Sequence, residues 1–124
     1  MQIQMLKSKI FQATVTDARE DYEGSITIAS NIMEAAGLMD HEKVLISNFS
    51  NGARFETYVI PAKAGSGKIC INGAATRLAG VGDEVIVMSF CALTPDEARD
   101  HHPKVIRLDK SNRIVNTKTT HAPH

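Results

Sequence analysis

The chain has 124 residues, 43% of them hydrophobic, which suits one domain with a modest core. Fourteen Lys and Arg balance fourteen Asp and Glu, so net charge gives no pull toward nucleic acid or anionic membranes. No run approaches the ~20 apolar residues of a membrane-crossing helix, and MQIQMLKSKIFQ lacks the apolar stretch of a secretory leader, so a soluble cytoplasmic protein is expected.

In chain order, KIFQATVTDA (residues 9–18) alternates loosely between apolar and polar, and SITIA follows at residues 25–29. EKVLISNF (42–49), RFETYVIPA (54–62), KICING (68–73) and DEVIVMSFCAL (83–93) are further short β-branched runs, giving five or six strands. Asn51-Gly52 between two of them predicts a tight hairpin, and residues 64–67 and 79–83 read as Gly-rich turns. Two short helices interrupt the strands. Ser30 is placed as the cap of NIMEAAGL, with Gly37 ending it. TPDEARDHH pairs Thr94 with Glu97 as a capping box around Pro95. Many short strands in one small domain predict a mainly β fold, a small closed barrel, with a sandwich as the alternative. The domain is expected over residues 1–110, and residues 111–124 read as a tail that frays at its end.

Several apparent motifs reduce to structure. AGSGKI resembles a phosphate-binding loop, but Ala62 stands where its first Gly belongs and Ile69 where its Ser or Thr belongs, so a turn is preferred. His101 and His102 are adjacent and point apart on a helix end, while His121 and His124 lack carboxylate or thiolate neighbours at ligand spacing, so no metal is expected. Cys70 and Cys91 have no CxxC spacing and read as free thiols. There is no GxSxG for a hydrolase. Gly-Ser occurs twice, as Gly24-Ser25 and Gly65-Ser66, and on its own each is an ordinary turn.

MLKSKIFQATVT, DYEGSITI, AAGL, NGARFETYVIPA, INGAATRLAGVGDEVIVMSF and PDEAR, in that order and at these spacings, resemble the pyruvoyl-dependent aspartate 1-decarboxylases, from about residue 5 to about residue 105. The resemblance implies a double-psi β-barrel, assembled as a homotetramer, whose precursor cuts itself between Gly24 and Ser25 into chains 1–24 and 25–124. Chemically, Ser25 Oγ can attack the unobstructed Gly24 carbonyl, turning the amide into an ester. Elimination then gives dehydroalanine, which hydrolyses to a pyruvoyl group, a covalent cofactor that replaces pyridoxal phosphate and metal. The amine of L-aspartate would condense with that ketone as an imine, and loss of carbon dioxide would yield β-alanine for pantothenate and coenzyme A synthesis.

By the same resemblance Tyr58 is the proton donor, Arg54 and Lys9 face substrate carboxylates, and Thr57 contacts substrate and assists cleavage. Asn72, Gly73, Ala74 and Ala75 match the loop that offers donors and leaves space for a small diacid. Two positions depart from the pattern: Phe11 stands where many members have histidine, and Ser47 where they have tryptophan. Ile86 is expected to reach a neighbouring subunit's pocket. The competing reading is an uncleaved small-barrel binding module, in which Arg54 and Lys9 are surface charges and Tyr58 a core-edge aromatic.

Overall fold

The computed structural model describes residues 1–119, and His121 and His124 lie outside the described residues. Strands β1 (Ile3–Thr14), β2 (Asp17–Arg19) and β3 (Ile26–Ala29) precede helix α1 (Ser30–Ala36). Then come β4 (Lys43–Asn48), β5 (Arg54–Ala62), β6 (Ile69–Asn72), a 3-10 turn over Gly73–Arg77, and β7 (Glu84–Leu93). Helix α2 (Pro95–Arg99), β8 (Lys104–Leu108) and β9 (Ile114–Thr119) complete the described residues. The β-branched runs of the sequence are all strands, and two further ones, β8 and β9, follow α2.

Hydrogen bonds link the nine strands in the order β2-β6-β3-β5-β4-β7-β1-β8-β9. Chain connectivity forces this ladder to curl. β2 and β1 stand six strand spacings apart in it, about 29 Å on a flat sheet, yet only two residues separate Thr14 from Asp17, a reach of about 11 Å. Thr16 accordingly sits on β6, its N–H donating to the Ile69 carbonyl at 2.8 Å. Asn112 ties the same seam: its side-chain amide donates to the carbonyls of Thr14 and Gly67, both at 2.8 Å, and accepts from the Thr14 N–H at 2.9 Å. The result is a mainly β, barrel-like shell, joined along this seam by loop and side-chain bonds rather than by a strand pair.

One hydrophobic core fills it, built around the fully buried Ile10, Ile26, Ile28, Ile32, Ile46, Ile69, Ile71 and Ile106. Each such side chain contributes about 1.5–3 kcal/mol by leaving water. The row Ile10, Val87, Ile46 crosses β1, β7 and β4 on the core face. By alternation, the neighbouring row Lys9, Met88, Leu45 and Glu56, continuing onto β5, lies on the outer face.

Local signals are met in part. The capping box of Thr94 and Glu97 is present with Pro95 at the first helical position. Gly37 ends α1 in left-handed backbone. Ser30 is not the cap: β3 runs through Ala29, paired with Ala62, and turns straight into the helix, so Ala29 holds the capping position with no side-chain bond. β4 and β5 do form an antiparallel hairpin, but residues 49–53 connect them, longer than a two-residue turn. No helix among the described residues is long and apolar enough to cross a membrane.

Candidate functional site

Gly24 and Ser25 lie immediately before β3, and both adopt positive φ, +136° and +86°. For Gly24 this is ordinary. For Ser25 it is a strained backbone of the kind that persists only where surroundings enforce it. The surroundings here are Asn72. β3 and β6 are antiparallel with Ile26 opposite Ile71, which carries the Asn72 N–H to the Ser25 carbonyl at 3.1 Å. The Asn72 side-chain amide donates to Ser25 Oγ at 3.0 Å and to Thr27 Oγ1 at 2.9 Å. Ser25 is buried, only 4% exposed.

Asn72 is itself oriented from below. Cys70, two residues earlier and therefore on the same side of β6, donates its thiol to Asn72 Oδ1 at 3.2 Å. Burial, and secondarily the Asp17 charge, push the Cys70 thiol above its ordinary value, which keeps it in the donating form. Cys70 is a free thiol, as the sequence predicts; its i, i+2 spacing from Asn72 on a strand is the signal for this contact.

Gly73 follows Asn72 at φ +74° and lies against residues 22–24. A Cβ there would stand 2.8 Å from both the Gly24 nitrogen and the Tyr22 carbonyl oxygen. Only glycine lets the 3-10 turn approach residues 22–24 so closely. Within that turn Ala74 is exposed and Ala75 packs against the core.

β5 runs parallel to β3 on its other edge, with Val59 opposite Ile26. Thr57 and Tyr58 are the two residues of β5 that precede Val59. Tyr58 is 38% exposed, and the His41 ring stacks on it at 5.7 Å between centroids. His41 has no motif around it; a bend holding its N–H 2.8 Å from the Val59 carbonyl brings it there.

Arg54 and Lys9 are not gathered to Ser25 within one chain. Arg54 is four residues from Tyr58 along β5, about 13 Å. Lys9 lies three strands from β5, in the row with Met88, Leu45 and Glu56, and its ammonium stands 5.7 Å from the Phe11 ring centroid. The candidate residues, with Ser47 and Ile86 beside Arg54, therefore form two groups. Ser25, Asn72 and Gly73 meet at the ends of β3 and β6, with Thr57 and Tyr58 on the adjoining strand β5, while Lys9, Arg54, Ser47 and Ile86 spread across the outer face of β1, β5, β4 and β7. A cavity of about 450 Å³, lined in part by Thr27, Ile60, Cys70 and Asn72, opens next to the first group.

The arrangement holds a serine hydroxyl in a constrained backbone behind a glycine carbonyl, with amide donors beside it. Comparison with known proteins gives this geometry a context. The aspartate decarboxylase family matches residues 1–115. An aspartate 1-decarboxylase of Caldicellulosiruptor saccharolyticus is 56% identical over 93% of this chain and 90% of its own length. That of Clostridium acetobutylicum is also 56% identical, over 94% and 91%, and that of Salinibacter ruber is 50% identical, over 96% and 82%.

Proposed function

The chain belongs to the aspartate decarboxylase family, and on that premise we infer that it converts L-aspartate to β-alanine and carbon dioxide, a step toward pantothenate and coenzyme A, using a pyruvoyl group made from its own Ser25. The observation that carries the cofactor assignment is the pairing of a positive-φ Ser25 with Asn72, which bonds both its Oγ and its carbonyl.

Maturation follows from these atoms. Ser25 Oγ attacks the Gly24 carbonyl carbon, and the Ser25 nitrogen leaves as the ester forms. Relief of strained backbone at Ser25 favours that shift. Loss of the Ser25 α-proton expels Gly24 as a carboxylate and leaves dehydroalanine, whose hydrolysis releases ammonia and gives the ketone. Thr57, which matches the family residue that assists cleavage, would donate to the oxyanion of the first step. The products are residues 1–24 and residues 25–124.

The surroundings fit such a group: Gly73, Ala74 and Ala75 present little side chain, and Asn72 and Thr27 offer polar contacts at its position. Such a ketone would supply an electrophile for an amine and a sink for the electrons that departing carbon dioxide leaves behind, as a pyridoxal ring does. Tyr58 then delivers a proton from its phenol to the substrate carbon. Arg54 takes a carboxylate through two parallel N–H bonds, and Lys9 adds a second positive charge.

Two groups separated on one chain are united if copies pack together, so the active form is a homotetramer in which one copy's Arg54, Lys9 and Ile86 face another's Ser25. Its place is the cytoplasm, in keeping with two unpaired cysteines. Release of carbon dioxide and β-alanine from L-aspartate by the processed protein tests the activity. A processed protein that leaves L-aspartate unchanged contradicts it.

A further inference from the structure

The His41 ring lies nearly flat on the Tyr58 ring, with 5.7 Å between centroids and 16° between planes. The backbone that carries it is strained. Residues 39–42 form a turn closed by the Glu42 N–H on the Met39 carbonyl at 3.0 Å, and its third residue, His41, stands at φ +71°. Glycine or asparagine usually fills such a left-handed position, because a larger side chain is disfavoured there. Strain of this kind persists where surrounding bonds enforce it, and it collects at functional sites.

The enforcing bonds are explicit. The Glu42 carboxylate accepts from the Met39 N–H at 3.0 Å and from Lys7 Nζ of β1 at 3.0 and 2.9 Å, which pins the turn to the shell. The His41 N–H donates to the Val59 carbonyl at 2.8 Å, and the Val59 N–H donates to the Glu42 carbonyl at 3.0 Å. The turn is thereby fastened to β5 at the residue after Tyr58. Asp40 Oδ1 stands 3.2 Å from His41 Nδ1 and holds the imidazole by its edge. Glycine would make the same turn without strain, but it would strip this cover from Tyr58, which is 38% exposed. The Tyr58 hydroxyl makes no hydrogen bond among the described residues, which leaves its ring plane to be fixed by contact.

We propose that His41 is a positioning residue for the decarboxylation: stacked on Tyr58, it holds the phenol in the one orientation from which the proton is delivered. This rests on the donor role given to Tyr58 above. His41 acts through that ring and not on the substrate. Offset stacking needs two flat faces at this separation and no charge on the imidazole, so another aromatic ring at position 41 can do the same work.

The test uses fully processed protein, verified by mass. His41→Gly and His41→Asn suit the turn and should melt at or above the parent's temperature. Their kcat for L-aspartate is nevertheless expected to fall about threefold, the time lost when a phenol held in one of three staggered positions visits all of them. KM should change little. His41→Phe keeps a flat ring at the same strained position and is expected to keep the parent's kcat. In Tyr58→Phe protein, which lacks the phenol, adding His41→Gly is expected to have no further effect. A separate arm reads the ring itself. The chain has no Trp and two Tyr, so in Tyr22→Phe protein Tyr58 is the sole emitter, and its fluorescence anisotropy should decay faster once His41→Gly removes the stack. An unchanged decay overturns the proposal. So does unchanged kcat in His41→Gly, or an equal fall in His41→Phe. Full kcat in Tyr58→Phe would instead overturn the donor role of Tyr58, and the positioning role with it.

Discussion

Asn72 holds Ser25 at two points, its side-chain amide 3.0 Å from Ser25 Oγ and its backbone N–H 3.1 Å from the Ser25 carbonyl oxygen. The backbone bond survives substitution because β6 still pairs with β3; the side-chain bond does not. Asn72→Ala should therefore leave the fold in place while freeing Ser25 Oγ to rotate away from the Gly24 carbonyl. Misplacement of a reacting atom by about 1 Å slows a step roughly hundredfold. A time course of cleavage by denaturing gel should show that slowing with the melting temperature little changed.

Cys70 supports Asn72 in turn, through the 3.2 Å bond to its Oδ1. Cys70→Ala removes the donor and should slow cleavage by a factor of about ten at most, the scale of one neutral hydrogen bond. Cys70→Ser keeps a donor and should cleave like the parent. Because the thiol is raised above its ordinary value of 9.0, the effect of Cys70 should be constant through neutral pH and fade only in strong alkali, where a thiolate no longer donates. Equal slowing in the alanine and serine variants would show that volume, rather than the hydrogen bond, matters.

At Gly73 the prediction concerns packing. Gly73→Ala places a methyl 2.8 Å from two backbone atoms of residues 22–24, at a φ of +74° that L-residues resist by about 1–2 kcal/mol. The 3-10 turn and the cleavage segment must separate. Both a lower melting temperature and loss of self-cleavage are expected, whereas Ala74, exposed in the same turn, should tolerate serine without either effect.

Asp83 gives a pH-dependent prediction. It accepts from the Gly80 N–H and from the Asn48 side-chain amide, both at 2.9 Å, and these bonds hold its carboxyl below the ordinary 3.8. A depressed folded pKa adds stability that is fully present above the unfolded value and is lost as pH falls through the folded one. Chemical denaturation should show this loss beginning below about pH 4. Asp83→Asn should be less stable by about 1 kcal/mol at pH 7, allowing for partial exposure, with a shallower acid slope.

The strands legible in the sequence are those with β-branched alternation on a buried face, such as residues 43–48 and 84–93. β8 carries a weak signal because KVIRL is five residues long and follows two histidines and a proline; β9 does because IVNTKT is polar. β9 pairs only at the sheet's edge, where a solvated strand needs little apolar pattern. Ladder order was not legible, since it depends on contacts such as Asn72 to Ser25, 47 residues apart. For the candidate site, the motifs suggest residues but not their grouping. Lys9, Arg54 and Tyr58 are separated by strand pairing that no local spacing encodes, and neither the stacking of His41 on Tyr58 nor the unpaired Ser47 hydroxyl has a sequence signature.

The central claim is that Ser25 becomes the reactive group by breaking the bond to Gly24. The most direct measurement is the mass of the denatured protein, taken beside Ser25→Ala. Two fragments divided after Gly24 are predicted, the larger beginning with a ketone in place of an amine and resisting N-terminal sequencing, while the variant stays whole. A single intact species near 13.5 kDa that persists after prolonged warming and releases no carbon dioxide from L-aspartate would contradict the account, as would a Ser25→Ala chain that still divides at Gly24.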